Sequence, residues 1–383
     1  MGNLMKKERV FYYDALKAIA IVGIIACHMS GSFLVKTDIA SLKWYFLLAL
    51  NTLRQFSIPA FVMISGALLV NKDYSLSTFI KKKFNRILVP YLFWAAMLIL
   101  FSYLLLHFGI KANVINTFTP DYILNCLLGL TKGITKGRSF WFIWMILVVY
   151  IVLFLLNKIL NRVNEDTNRK IINALAFLFI LYCLIIVPLG IIKIGAFNNT
   201  TLFYISFAGY GLFGYFLANR DFANIGNVLK ISKKAVFLIS FASFIILYIY
   251  SLIKITDLSL ARNTLTTFPY FSILTLALSS TAFLSFRYFE EANKDNDDSL
   301  FMKIKNGKLG IILNSLSKCS FGIYFVHPII YIFLKDILFA SMNIFNRNPI
   351  KWSLLLIVLV LFASWGIIWI MSKIPYLEKV SGA

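Results

Sequence analysis

The chain has 383 residues, of which 60% are hydrophobic and only 14% charged. Its mean hydropathy of +0.80 is more than a water-soluble fold can hide in a core. The formal net charge of +22 would fit nucleic acid, but the basic residues follow membrane topology. Composition therefore excludes a soluble enzyme and a nucleic-acid module, and indicates an all-α, polytopic membrane bundle.

The first apolar stretch, 11–34, carries Asp14, Lys17 and His28. At about 100° per residue these three fall within roughly 60° of one another, on one helix face. Ionisable groups inside a span are costly and mark function. His28 lies about 25 Å along the helix from Phe11, toward the outer end. Cys27, its neighbour, points about 100° away and reads as packing rather than as an acyl-carrying nucleophile.

The remaining stretches of membrane-spanning length are 45–70, 88–110, 140–156, 171–192, 201–218, 235–253, 268–286, 311–339 and 352–372. The second and ninth are overlong, so tilt or a break is expected. The second holds Arg54 just before Pro59, and a proline helps break a helix. Arg54 can stabilise an oxyanion or hold a hydroxyl, or snorkel to the headgroups. Lys81, Lys82, Lys83 and Arg86 precede the third stretch. Such a cluster either anchors the protein by the positive-inside rule or grips phosphates.

The outer connection 111–139 contains the run Tyr122–Leu130, too short to span and expected to be interfacial or re-entrant. Trp141 and Trp144 share a helix face in the fourth stretch, where they fit packing or an interface. The inner connection 287–310, with Glu290, Glu291, Asp295, Asp297 and Asp298, reads as a solvated, mobile loop. The ninth stretch holds Tyr324 and His327, followed by Pro328; for His327 a structural hydrogen bond and a ligand contact are both open.

Segments assigned to the inner side hold 23 Lys and Arg against 11 in the outer loops, which puts both termini in the cytoplasm. Cys27, Cys126, Cys183 and Cys319 show no metal-type or disulfide spacing. The first stretch is long enough to remain as an anchor. Residues 1–383 read as one integral-membrane domain without a visible inverted repeat.

Several strings together resemble the membrane-bound acyltransferase family 3. The first is Asp14, Lys17 and His28, an acid, a base three residues later and a histidine eleven after that. Ser57–Leu69, running from Pro59 to Ser65-Gly66, looks like the family's second-span segment. Lys83-Phe84-Asn85-Arg86 followed by Pro90-Tyr91 is similar to its paired-basic motif, and Ser320-Phe321-Gly322-Ile323-Tyr324-Phe325-Val326-His327 to its late signature. The chain departs from the pattern in having Lys17 and Lys83 where arginine is common, which weakens bidentate grip, and Ser139 where histidine is frequent.

The resemblance implies an O-acyltransferase that moves an acyl group, most commonly acetyl, from cytoplasmic acetyl-CoA to a hydroxyl of a cell-envelope polysaccharide, extracytoplasmic or lipid-linked. His28 would be the base, imidazole being the side chain whose ordinary pKa of about 6.5 suits that task. Asp14, Lys17 and Arg54 would complete the catalytic set. Lys82, Lys83 and Arg86 would hold the donor's phosphates, and Trp141, Tyr324 and His327 the acceptor or donor. No metal and no nucleic acid is expected. Membrane lipid, a second copy of the chain or glycan-synthesis proteins are the expected partners. The alternative is an exporter of polysaccharide or lipid-linked sugar without transfer activity, since a polar stripe through a bundle also serves as a substrate path.

Overall fold

The computed structural model describes residues 10–109, 123, 140–188, 200–225, 229–339, 342 and 348–383. The run Tyr122–Leu130 (apart from residue 123), the Gly-rich segment 132–137, Cys126 and Ser139 lie outside them. The helices are α1 (Phe11–Leu34), α2 (Leu42–Thr52), α3 (Arg54–Leu69), α4 (Leu76–Phe79), α5 (Asn85–His107), α6 (Trp141–Leu160) and α7 (Glu165–Leu181). They continue as α8 (Thr200–Asn219), α9 (Lys233–Arg262), α10 (Ile273–Asn293), α11 (Leu300–Asn306), α12 (Lys308–Ile332), α13 (Pro349–Met371) and α14 (Leu377–Ser381). A two-residue antiparallel ribbon, β1 (Asn224–Ile225) with β2 (Leu229–Lys230), joins α8 to α9.

Among the described residues, each of the ten expected spans contains a helix. Among the described residues, nine are long and apolar enough to cross a bilayer on their own composition. The other, α10, is diluted by Ser279, Ser280, Thr281 and Ser285, whose hydroxyls bond back to carbonyls one turn earlier within the helix. Such back-bonding satisfies the hydroxyls without a second helix. The overlong second span is a single helical stretch, Leu42–Leu69, interrupted only at Leu53 between α2 and α3, where the backbone stays right-handed helical (φ −54°, ψ −29°), and Pro59 sits inside α3. The overlong ninth ends its α-helix at Ile332 and passes into a π-helical turn, Phe333–Leu338.

α1 is the axis of the bundle and packs against α2, α3, α10, α12 and α13. In its most apolar window 67% of residues are buried, against 17% in α9, which forms the lipid-facing shell. α3 and α8 cross at the closest approach. A methyl on Gly66 would stand 1.9 Å from the carbonyl oxygen of Gly211, and one on Gly214 2.2 Å from that of Met63. Only glycine lets the two backbones meet in this way.

The inner connection is more ordered than its composition implies. α10 continues to Asn293 and α11 follows within seven residues. Glu290 accepts a hydrogen bond from the backbone N–H of Tyr12 at 2.7 Å, in the first turn of α1. Glu291 pairs at 2.6 Å with Arg287, which is 7% exposed. The Arg287 guanidinium also donates to the carbonyls of Leu217 and Arg220, capping the C-terminus of α8. Glu290, expected in solvent, thus serves as a long-range anchor, and Glu291 fixes the arginine that makes another. The C-terminal segment folds back as well, with Ser381 fully buried and its carbonyl oxygen against Gly322 of α12.

Candidate active site

α1 and α12 run side by side and share polar contacts at three depths. Near the start of α1, Ser317 donates to Asp14 Oδ1 at 2.6 Å, with both residues buried. Further along, the rings of His28 and His327 lie 5.2 Å apart. One turn beyond, Ser32 and Tyr331 share a 2.6 Å hydrogen bond. The common face of Asp14, Lys17 and His28 therefore meets α12, but at different depths. By helical rise Asp14 is about 21 Å and Lys17 about 16 Å from the level of His28. Asp14 and Lys17 belong to the end of the bundle nearer the N-terminus, and the structure does not bring them to the imidazole.

His28 is exposed, although Cys27 and Met29 on either side are buried. Its ring faces the buried His327 and it feels the charge of Arg54, so the open space it meets is inside the bundle rather than lipid. His327 is 2% exposed, and its Nδ1 lies 3.2 Å from the carbonyl oxygen of Ile323. A carbonyl only accepts, so Nδ1 carries the proton and Nε2 is left as an acceptor. The structural bond expected for His327 is present, and it fixes the ring beside His28.

Arg54 opens α3 and is brought to this level by its neighbours. Asn51 donates to the carbonyl of Cys27 at 3.1 Å, and Leu53 and Ser57 abut Gly23. Its guanidinium faces Tyr270, three residues before α10. Tyr270 packs on Trp141 at 5.8 Å between ring centroids, and Trp141 also meets Phe203 and Phe207. Tyr324 closes the circuit, with its ring 5.8 Å from His327 and 5.3 Å from Phe142. Five residues singled out from sequence, His28, Arg54, Trp141, Tyr324 and His327, thus form one cluster. Tyr270 was not among them. It stands in an apolar string, Phe268-Pro269-Tyr270-Phe271, whose only polar signal is one hydroxyl.

The basic residues before the third span lie at the opposite depth. Lys81 and Lys82 are exposed on a π-helical turn, Ile80–Phe84, with Arg86 exposed just beyond it. Lys83 is half-buried, and its ammonium sits 5.4 Å from the Tyr74 ring centroid. Cys27, Cys183 and Cys319 are buried free thiols. Among the described residues no three His, Cys, Asp or Glu side chains converge as a metal site would require.

The bundle thus gathers an imidazole pair, a guanidinium and aromatic hydroxyls at one depth and exposed cationic side chains at the other. Residues 10–369 match the acyltransferase domain of acyltransferase family 3, and the chain belongs to that family. No curated protein and no solved structure matches it. It is a multi-pass membrane acyltransferase.

Proposed function

We propose that the protein transfers acetyl from cytoplasmic acetyl-CoA to a hydroxyl of an extracytoplasmic or lipid-linked cell-envelope polysaccharide. The observation that carries this reading is the placement of His28, open to internal space and backed by His327 and Arg54. His28 removes the proton as the acceptor oxygen attacks the thioester carbon. Arg54 and the Tyr270 hydroxyl face the oxyanion that forms, in a site with little water to screen them. Collapse of the tetrahedral intermediate breaks the carbon–sulfur bond, and the thiolate leaves with the proton taken up by the imidazole. Trp141 and Tyr324 offer aromatic faces to a sugar.

Lys82, Lys83 and Arg86 hold the donor phosphates at the cytoplasmic end in this scheme, with both chain termini on the same side. Asp14 and Lys17 lie toward that end, where Asp14 supports the α1–α12 contact through Ser317, and both act on the imidazole only indirectly. Purified protein in detergent should release free CoA from acetyl-CoA in the presence of envelope glycan. His28→Ala should abolish release while membrane abundance stays near wild type. Retained activity in that variant removes His28 as base, and no CoA release by the wild type points to a carrier instead.

A further inference from the structure

A groove of about 350 Å³ between α7 and α8 shares no residue with the catalytic cluster and has the volume of a small ligand site. Phe177 and Ile180 of α7 line it with Phe216 of α8 and Phe222 just beyond, and its polar lining is Asn173 and Arg220. It opens on the outside of the bundle: Phe177 is 59% exposed, and only 28% of the most apolar window of its span is buried. Ile180, Phe177 and Asn173 are three and four residues apart, a stripe that continues to Arg169 and Lys170 toward the start of α7. Phe216 and Arg220, four apart, repeat the change from apolar to cationic at the end of α8.

The two helices are antiparallel. Tyr182 bonds Ser206 at 2.9 Å, and Phe179 packs on Tyr210 with ring centroids 5.1 Å apart. Continued to the end of α8, this register brings Arg220 level with Arg169. From that level to Ile180 is eleven residues of α7, about 16 Å, or one leaflet of a hydrocarbon core about 30 Å thick.

The cationic rim is held in place and its charge is not consumed within the bundle. The Arg220 carbonyl accepts from the buried Arg287 guanidinium at 2.7 Å, and the Phe222 N–H donates to the Tyr288 hydroxyl at 2.7 Å. Asp166 is engaged by Arg169 and Lys170, at 2.8 and 2.7 Å, and Asp221 by the Ala223 N–H at 2.9 Å. Among the described residues, the Arg220 guanidinium and the Asn173 amide have no ion-pair or hydrogen-bond partner. We infer that this groove binds an anionic phospholipid, with one acyl chain along Phe177, Ile180 and Phe216 and the headgroup phosphate on Arg220. Asn173, four residues and about 6 Å deeper than the Arg169 level, is placed for an ester carbonyl below that phosphate. On the topology that the charge asymmetry implies, this end meets the inner leaflet, where anionic lipid is enriched. The inference is independent of the acyl-CoA reading.

Protein purified in detergent is titrated with dioleoyl phosphatidylglycerol or dioleoyl phosphatidylcholine, which share tails and differ in net charge, and bound lipid is counted by native mass spectrometry. The wild type should prefer phosphatidylglycerol. Arg220→Gln should weaken it about five- to tenfold, the worth of one cation at the headgroup, and leave phosphatidylcholine within twofold. Asn173→Leu should cost about threefold, and it decides should Arg220→Gln fail to accumulate. Arg169→Gln removes the same charge at the same depth from outside the groove and should move neither lipid more than twofold. Glycerol 3-phosphate, which has no tails, should not displace the lipid; displacement would assign the rim to a free phosphate and overturn the lipid site. It is equally overturned by a wild type without preference, by unchanged affinity in Arg220→Gln, or by equal loss in Arg169→Gln, the mark of diffuse surface attraction.

Discussion

Gly66→Ala probes the α3–α8 crossing that holds the site wall. The added methyl would stand 1.9 Å from the Gly211 carbonyl oxygen and 2.3 Å from its carbon. Both obstacles are backbone, so no rotamer relieves them, and restoring an ordinary contact near 3.5 Å requires the helices to part by roughly 1.5 Å. Overpacking of this kind costs about 1–3 kcal/mol, and a backbone-on-backbone clash belongs at the upper end. Alanine returns about 1 kcal/mol of helix propensity. Gly366→Ala is the control, because nothing lies within 4 Å of its added methyl and only the propensity gain remains. The two variants should therefore differ by about 3 kcal/mol. Thermal unfolding in detergent, followed by tryptophan fluorescence, should rank Gly366→Ala at or above wild type and Gly66→Ala clearly below. Equal midpoints for the two variants would refute the reasoning that this crossing has no room. Acyl transfer should fall with Gly66→Ala, since α3 carries Arg54.

Replacing Lys83 and Arg86 together should weaken acetyl-CoA binding at least tenfold by calorimetry, and unchanged affinity would return them to simple anchoring. Arg287→Met should lower stability by about 2–4 kcal/mol, because Glu291 and the carbonyls of Leu217 and Arg220 lose their shared donor; a thermal midpoint like wild type counts against this role. Asn157→Leu should cost about 2 kcal/mol, since its amide bridges the Asn71 N–H and the Leu69 carbonyl, both at 2.8 Å; chemical unfolding that matches wild type would show the bridge to be dispensable. Trp141→Leu should raise KM for the glycan acceptor severalfold with little change in CoA binding, and a shift confined to the donor would contradict an acceptor role.

Much of the bundle is legible in the chain because about 20 apolar residues are needed to cross a membrane, and runs of that length announce themselves. The overlong second span, read as tilted or broken near Pro59, stays one helical stretch with a local interruption at Leu53. Helical periodicity places Asp14, Lys17 and His28 on a common face, but it reports azimuth and not depth, so it cannot say that Ser317 meets Asp14 while His327 meets His28. The inner connection illustrates the opposite limit. Local composition makes Glu290 and Glu291 look like loop residues, yet both lie in α10, Glu291 paired one turn back with Arg287 and Glu290 tied to the distant N–H of Tyr12. Tyr270 escapes notice for the same reason, since its chemistry arises from Arg54, more than two hundred residues away in the chain.

The tucked C-terminal segment ties an accessible handle of the molecule to its chemistry. A methyl on Gly382 would stand 3.0 Å from the backbone nitrogen of Gly322, and Gly322 precedes His327 by five residues on the same helix. Substitutions at residues 381–382 therefore press on α12 about one and a half turns from His327, and reach the chemistry without touching it.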